Sequence, residues 1–304
     1  MNKSLENRLK LIAGDSNVRC DEPMSSHCTF RAGGTAKYYV IPDEYKKVRD
    51  VLRLCVEENI PYYVIGNGSN LLVQDDGFDG VIIEIDSALA KIEINGNEIV
   101  AKAGAKLSKI AVKALNESLT GFEFAHGIPG NLGGAVTMNA GAYGGEMKDI
   151  VVCASIMDED GNITKLDNKE LEFGYRTSVL RPGKDIVIDV VIALHPGNQT
   201  EIRGRMAEIA ASRKEKQPLE YPSAGSTFKR PEGYFAGKLI SDAGLKGFTC
   251  GGACVSEKHA GFVVNKGNAT AADVIKLTDE VSEKIYELNG VKLELEVKKL
   301  GFEE

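Results

Sequence analysis

Two glycine-rich segments stand out as places where the chain could hold a ligand. The first runs Tyr62-Tyr63-Val64-Ile65-Gly66-Asn67-Gly68-Ser69-Asn70-Leu71. The second runs Gly127-Ile128-Pro129-Gly130-Asn131-Leu132-Gly133-Gly134-Ala135 and continues through Asn139-Ala140-Gly141-Ala142-Tyr143-Gly144. Glycine permits positive φ and close backbone approach, so successive N–H groups can converge on phosphate oxygens. Asn67, Ser69, Asn70 and Asn131 add neutral donors beside them. Either segment alone reads equally well as a tight turn. The two together, one directly after an apolar run, favour phosphate binding. The common nucleotide motifs are absent: Gly66-Asn67-Gly68 opens like a dinucleotide fingerprint, but Leu71 stands where the third glycine belongs. P-loop, GxSxG and HExxH patterns are missing as well.

Three further stretches carry reactive groups. In Ser223-Ala224-Gly225-Ser226-Thr227-Phe228-Lys229-Arg230-Pro231, Ser226 offers a proton and Lys229 with Arg230 could hold an anion, although an exposed basic loop would look the same. In Phe173-Gly174-Tyr175-Arg176-Thr177-Ser178 the arginine alone reads as a surface ion-pair residue. In Leu293-Glu294-Leu295-Glu296-Val297 strand alternation puts both glutamates on one face, ordinarily the solvated one. His27, His126, His195 and His259 lie far apart without ligand spacing, so no metal site is expected.

The elements that must position these groups are legible in outline. A chain of 304 residues, 43% hydrophobic and 27% charged, has the composition of a globular protein of two or three domains. A net charge of −7 argues against a nucleic-acid partner, and no apolar run nears the roughly 20 residues that span a bilayer. The N-terminal residues lack a secretory apolar stretch, and six scattered cysteines without a CxxC pair read as reduced thiols. A cytoplasmic location, with no membrane and no obligate protein partner, is the resulting expectation.

Asp43 is placed to cap a helix with apolar positions Val48, Val51, Leu52, Cys55 and Val56. Strands are expected at Tyr62–Ile65, Leu71–Val73 and Val81–Ile85. A hairpin turns at Gly96-Asn97, a helix carries Leu107, Ile110, Ala111, Ala114 and Leu115, and Val151–Met157, Ile163–Leu166 and Ile186–Leu194 are strands. Helices follow near Glu201–Lys216 and over Ala271–Asn289, the latter with a Thr270/Asp273 capping box and a stripe of Val274, Leu277, Val281, Ile285 and Leu288. Val291–Val297 alternates as a last strand. Boundaries near 85 and 200 divide the chain into three α/β or α+β segments.

In this order, the five chemical segments resemble the UDP-N-acetylenolpyruvoylglucosamine reductase family, also called UDP-N-acetylmuramate dehydrogenase, in its shorter branch. The likeness also takes in Thr29-Phe30-Arg31-Ala32-Gly33-Gly34, Gly233-Tyr234-Phe235-Ala236-Gly237-Lys238-Leu239-Ile240 and Ala243-Gly244-Leu245-Lys246-Gly247. Val255-Ser256-Glu257-Lys258-His259-Ala260-Gly261-Phe262 and Asn265 complete it, from about Thr29 to Gly301. Asn131-Leu132 departs from the usual Ser-Val or Thr-Val, and Cys250, Cys254 and Lys298-Lys299 are also atypical.

The resemblance implies an α+β protein: an FAD-binding domain of the vanillyl-alcohol-oxidase type in two subdomains, 1–85 and 86–200, plus an α/β substrate-binding domain, 201–304. It implies an oxidoreductase, a flavoprotein in which NADPH reduces FAD, which then reduces UDP-N-acetylglucosamine enolpyruvate to UDP-N-acetylmuramate. That reaction belongs to peptidoglycan synthesis and hence to cell wall biogenesis, cell shape and cell division. Carried onto this sequence, it makes Arg176, Ser226 and Glu296 catalytic. It places Gly66, Asn67, Gly68, Ser69, Asn70, Leu71, Gly130, Asn131, Gly133, Gly134, Asn139, Gly141 and Ala142 at the cofactor. Tyr175, Lys216, Lys229, Arg230, Lys246 and His259 would meet the substrate. Glu296 is preferred to Glu294 for its place before Val297. The rival readings are another FAD oxidoreductase of this fold using oxygen, and a non-catalytic UDP-sugar or flavin-binding module.

Overall fold

The computed structural model describes residues 4–302. They form two compact units whose segments interleave along the chain. One comprises the stretch ending at Asp21 with Tyr38–Asn67 and Gly80–Ala211; the other comprises Glu22–Lys37, Gly68–Asp79 and the chain from Ser212 onward. The stretches 22–37 and 68–79 thus cluster with the C-terminal residues, not with the rest of the N-terminal third.

In the first unit Tyr62–Ile65 pairs in parallel with residues 81–84 of the strand Phe78–Glu84, Tyr62 beside Val81 and Ile65 beside Glu84. The helix Tyr45–Glu57 buries Val48, Val51, Leu52, Leu54 and Cys55, each such side chain contributing roughly 1.5–3 kcal/mol when fully removed from water. Two details differ from expectation. Val56 is exposed and Leu54 takes the inward position. The cap position falls on Glu44, while Asp43 forms an i,i+4 ion pair with Lys47 at 2.7 Å. A five-stranded antiparallel sheet runs in the order Ile163–Asp167, Val151–Met157, Ile186–Ala193, Glu98–Lys102, Ile92–Asn95. Its hairpin at Gly96-Asn97 has glycine first with φ 60, as a tight two-residue turn requires.

The second unit has its own apolar core around Phe30, Leu72, Phe228, Ile240, Val255, Leu277 and Val281. A three-stranded antiparallel sheet, Thr249–Cys250, Ala253–Val255 and Val263–Asn265, accompanies the helices Ala236–Asp242 and Ala271–Asn289. The long helix starts at the expected Thr270/Asp273 capping box and ends at Gly290 with φ 67. Its amides at Ala271 and Ala272 also donate to the Asp75 carboxylate, at 2.7 and 2.9 Å. Leu288 lies outside the buried stripe and is exposed.

The expected strand Val291–Val297 is not one. It makes a single bridge, Leu295 opposite Phe228, and regular pairing begins only at Lys298–Leu300, parallel to Leu71–Val73. Alternation therefore does not govern its two glutamates: Glu294 is exposed, whereas Glu296 is 8% exposed. No helix among the described residues is long and apolar enough to cross a membrane, and none of them form a metal-binding cluster of His, Cys, Asp and Glu.

Candidate active site

Within the first unit the start of one glycine turn lies against the other. Asn67 donates through Nδ2 to the Pro129 carbonyl at 2.8 Å. A Cβ on Gly66 would stand 3.3 Å from Asn131, so this glycine is needed for the approach. Asn131 is buried, and its Nδ2 donates to the Ile85 carbonyl at 3.1 Å and faces Asp86 Oδ1 at 3.4 Å. Two acceptors on one side fix the amide orientation and leave Oδ1 buried without a partner within the protein. An orphaned acceptor is costly; it suits a hydroxyl or N–H of a sugar or base, such as FAD carries, and would repel a phosphate. Its Nδ2, expected to stand beside a phosphate, is turned to the Ile85 carbonyl instead.

The neighbouring glycines divide by function. A Cβ at Gly133 would meet Ala103 at 2.9 Å, so that residue is small for packing. Gly134 is exposed, with nothing within 4 Å of its would-be Cβ, and leaves backbone open to a ligand. The amides of Leu132 and Gly133 are held by the carbonyls of Ala105 and Ala103. Gly130 donates its amide to Ile128. The pair Gly141–Ala142 and Gly145–Glu146 makes a hairpin whose turn residues Tyr143 and Gly144 both have positive φ, at 51° and 88°. These residues fit a flavin nucleotide through shape and open backbone more than through amide donors.

Asn139, wholly buried at φ 44, sits at the head of that hairpin. Its Nδ2 donates to Glu146 Oε2 at 2.7 Å and to the Gly174 carbonyl at 2.9 Å, and its Oδ1 accepts from the Lys148 amide at 2.9 Å. Its own amide donates to Val136. All its donors are thus engaged within the protein. Beyond it, Gly174 and Thr177 close a two-residue hairpin with Tyr175 and Arg176 at the tip. Arg176 has φ 56, a conformation costing a side-chain-bearing residue about 1–2 kcal/mol. Its Nη2 donates to the Gly141 carbonyl at 3.1 Å, and its guanidinium lies 5.5 Å from the exposed Tyr175 ring.

In the second unit the remainder of the first glycine turn joins the predicted proton donor and carboxylate. Gly68, at φ 56, packs against the His27 carbonyl so closely that any Cβ would collide with it. Thr29 donates its amide to the Gly68 carbonyl at 3.1 Å, which explains the Thr29–Gly34 stretch as a support for this turn. Ser69 is partly exposed. Asn70 donates through Nδ2 to the Glu296 carbonyl at 3.2 Å and accepts the Lys298 amide at 3.0 Å, while Leu71 pairs with Lys298. The Glu296 amide donates to the Thr227 carbonyl at 2.9 Å. Thr227 is locked in turn: its amide donates to Gly261, and its Oγ1 accepts from the Val263 amide, both at 2.8 Å. The exposed Ser226 is therefore one residue from a rigid contact with the buried Glu296. Glu294, by contrast, pairs with Lys229 at 2.9 Å near the surface, and this ion pair holds its carboxyl below the usual range.

The other expected substrate residues of this unit spread over its surface. Arg230 stacks 4.0 Å over the exposed Phe235 ring. Lys216 ends the helix Gln199–Lys216 and is exposed, as is Lys246. His259 is half-buried, with its Nδ1 accepting the Gly261 amide at 3.1 Å. Burial, with Lys246 adding to it, lowers its pKa below the ordinary histidine value, so it is neutral near pH 7 and presents Nε2–H as a donor. Sequence reasoning missed the scaffold roles of Asn139, Thr227, Asp75 and Glu146, which arise from contacts that leave no periodic signal.

The α+β fold and the comparisons define an FAD-binding oxidoreductase class. The FAD binding domain model matches residues 36–167. The model described as UDP-N-acetylenolpyruvoylglucosamine reductase, C-terminal domain, matches residues 217–300. A protein of that reductase name from Lachnoclostridium phytofermentans is 49% identical, covering 99% of this chain and 98% of its own. Another from Geobacillus thermodenitrificans is 50% identical over 97% of each chain. The crystal structure of the reductase from Thermus caldophilus aligns with TM-score 0.80 at 35% identity, covering 93% of this chain and 98% of that one. The glucose dehydrogenase Phl p 4.0202, 13% identical, shares the fold alone, with TM-score 0.52 over 65% of this chain and 45% of its own. The chain belongs to the UDP-N-acetylenolpyruvoylglucosamine reductase family.

Proposed function

We propose that this protein reduces UDP-N-acetylglucosamine enolpyruvate to UDP-N-acetylmuramate for peptidoglycan synthesis, with FAD as bound cofactor and NADPH as reductant. The observation that carries the reading is the lacing of Gly68–Leu71, Thr227 and Glu296 through Asn70 and the Thr227 carbonyl, which sets a hydroxyl and a buried carboxyl beside a cofactor turn. Residues 1–85 and 86–200 serve as the flavin-binding subdomains and 201–304 as the substrate domain. The enzyme works in the cytoplasm, where NADPH and nucleotide sugars are held, without a nucleic-acid, membrane or obligate protein partner.

Gly66, Asn67, Gly68, Ser69, Asn70, Leu71, Gly130, Gly133, Gly134, Gly141 and Ala142 line the cofactor, with Asn131 Oδ1 accepting from one of its hydroxyl or N–H groups. FAD held there would, once reduced by NADPH, be the source of a hydride for the terminal carbon of the enolpyruvyl group. Negative charge then grows on the substrate carboxylate. Arg176 meets it as a fixed cation, a kind of donor whose removal costs about 2.7–4 kcal/mol of transition-state stabilisation. Ser226 gives its proton to the substrate carbon next to the carboxylate, which is basic enough to take one from an alcohol. Glu296, buried beside this loop, faces the same enolate and, when protonated, donates a hydrogen bond to it. Tyr175, Lys216, Lys229, Arg230, Lys246 and His259 contact the rest of the substrate, the cations toward its diphosphate.

Incubating the purified protein with NADPH and the enolpyruvyl nucleotide should yield a product two hydrogens heavier by mass spectrometry. Unchanged nucleotide, with flavin present, overturns the substrate assignment.

A further inference from the structure

We propose that Asn139 is a positioning residue for Arg176, acting through the hairpin that carries it. This rests on the reading of Arg176 as the enolate-stabilising cation. Two stretches of the first unit are stitched at three levels. Ser178 Oγ donates to the Thr137 carbonyl at 2.7 Å, Asn139 Nδ2 donates to the Gly174 carbonyl at 2.9 Å, and Arg176 Nη2 donates to the Gly141 carbonyl at 3.1 Å. The middle stitch falls on the residue that closes the hairpin, since Gly174 donates its amide to the Thr177 carbonyl at 3.0 Å.

Asn139 is suited to the task in shape and chemistry. Asparagine tolerates the left-handed backbone found there better than most residues. Its amide holds both sides of the stretch at once: Oδ1 takes the Lys148 amide, and Nδ2 divides its two hydrogens between Glu146 and Gly174. Glu146 is fixed in turn by donating its backbone amide to Asp149 Oδ2 at 2.9 Å and by pairing with Lys148. The Gly141–Glu146 hairpin and the Gly174–Thr177 hairpin are therefore oriented by one buried side chain. Arg176 itself sits in a strained backbone conformation, and such a tip persists only when its surroundings over-determine it.

The test is a double-mutant cycle read by single-turnover flavin kinetics. N139A should slow reoxidation of the NADPH-reduced enzyme by the enolpyruvyl nucleotide on the order of 10²-fold, the scale of a misplaced catalytic group. Its reduction by NADPH should fall by a much smaller factor than reoxidation, since Gly141–Ala142 keeps its own pairing with Gly145–Glu146 when the side chain is lost. In an R176A background, N139A should cost nothing more in reoxidation, because a residue acting through another is non-additive with it. S178A, which loosens the outer stitch and leaves the buried amide intact, should show a smaller loss with the same pattern and covers the case in which N139A does not fold. A loss that persists undiminished in the R176A background, or equal loss of both half-reactions, overturns the positioning role. Unchanged reoxidation in R176A alone instead overturns the reading of Arg176 on which it rests.

Discussion

Arg176 sits at the tip of a hairpin tied at three levels to the stretch Thr137–Gly141, whereas Ser226 stands exposed beside a short segment locked from behind by Thr227. In the first region the polar side chains Asn67, Asn131, Asn139 and Ser178 donate to backbone carbonyls, and what remains for a ligand is shape. In the second, backbone bonds through Thr227 and Glu296 do the fixing and Ser226 is left at the surface. The glycine-rich stretches thus use polar residues as internal braces, while the Ser226 loop keeps its own outward. A polar residue next to a glycine turn is therefore weaker evidence of a ligand contact than one next to a braced strand.

The sharpest break of this contrast is S226A. It should leave reduction by NADPH intact and slow reoxidation by the enolpyruvyl nucleotide by about 10²–10⁴-fold, the usual worth of a general acid; stopped-flow absorbance separates the two. If both half-reactions fall together, Ser226 belongs to the scaffold. Next in size, E296A should slow reoxidation by roughly 10²-fold, and E294A, at an exposed ion pair of little worth, by less than about threefold. Equal effects would erase the distinction that burial draws between the two carboxyls.

G68A probes the brace itself. Positive φ and the His27 carbonyl together should cost about 2–4 kcal/mol, seen as a lower Tm and a lower flavin content of the purified protein. A variant as stable as wild type would mean that the turn can open.

The smallest effect concerns pH. Because His259 is held below its ordinary pKa, the unfolded chain takes up this proton first as pH falls. The penalty is absent above the ordinary histidine range, grows as pH drops through it, and is complete below the lowered folded value. Urea titrations at pH 5 and pH 7 should show a smaller stability difference in H259Q than in wild type; an identical or larger difference contradicts the assignment.

How much of this was legible beforehand depended on whether a feature was local. The helix Ala271–Asn289 and its capping box follow from side chains within a few residues of each other, as do the strand Tyr62–Ile65 and the turn at Gly96. The interleaving of the two units was not legible, because Leu71–Val73 pairs with Lys298–Leu300 from the other end of the chain. The same cause misled the reading of Leu293–Val297. Alternation gives both glutamates one face, but a single bridge to Phe228 and the lock at Thr227 bury one and expose the other. The roles of Asn139 and Asn131 were visible only as residue types, since the identity of each acceptor is a tertiary fact.

The central claim is that one bound flavin passes electrons from NADPH to the enolpyruvyl nucleotide. The most direct measurement is an anaerobic absorbance titration of the purified protein, NADPH first and the nucleotide second. The flavin absorbance band, set by the cofactor and tuned by its site, should bleach with NADPH and return when the nucleotide is added. A protein that binds no flavin, or whose bleached band returns only on admitting oxygen, would contradict the claim.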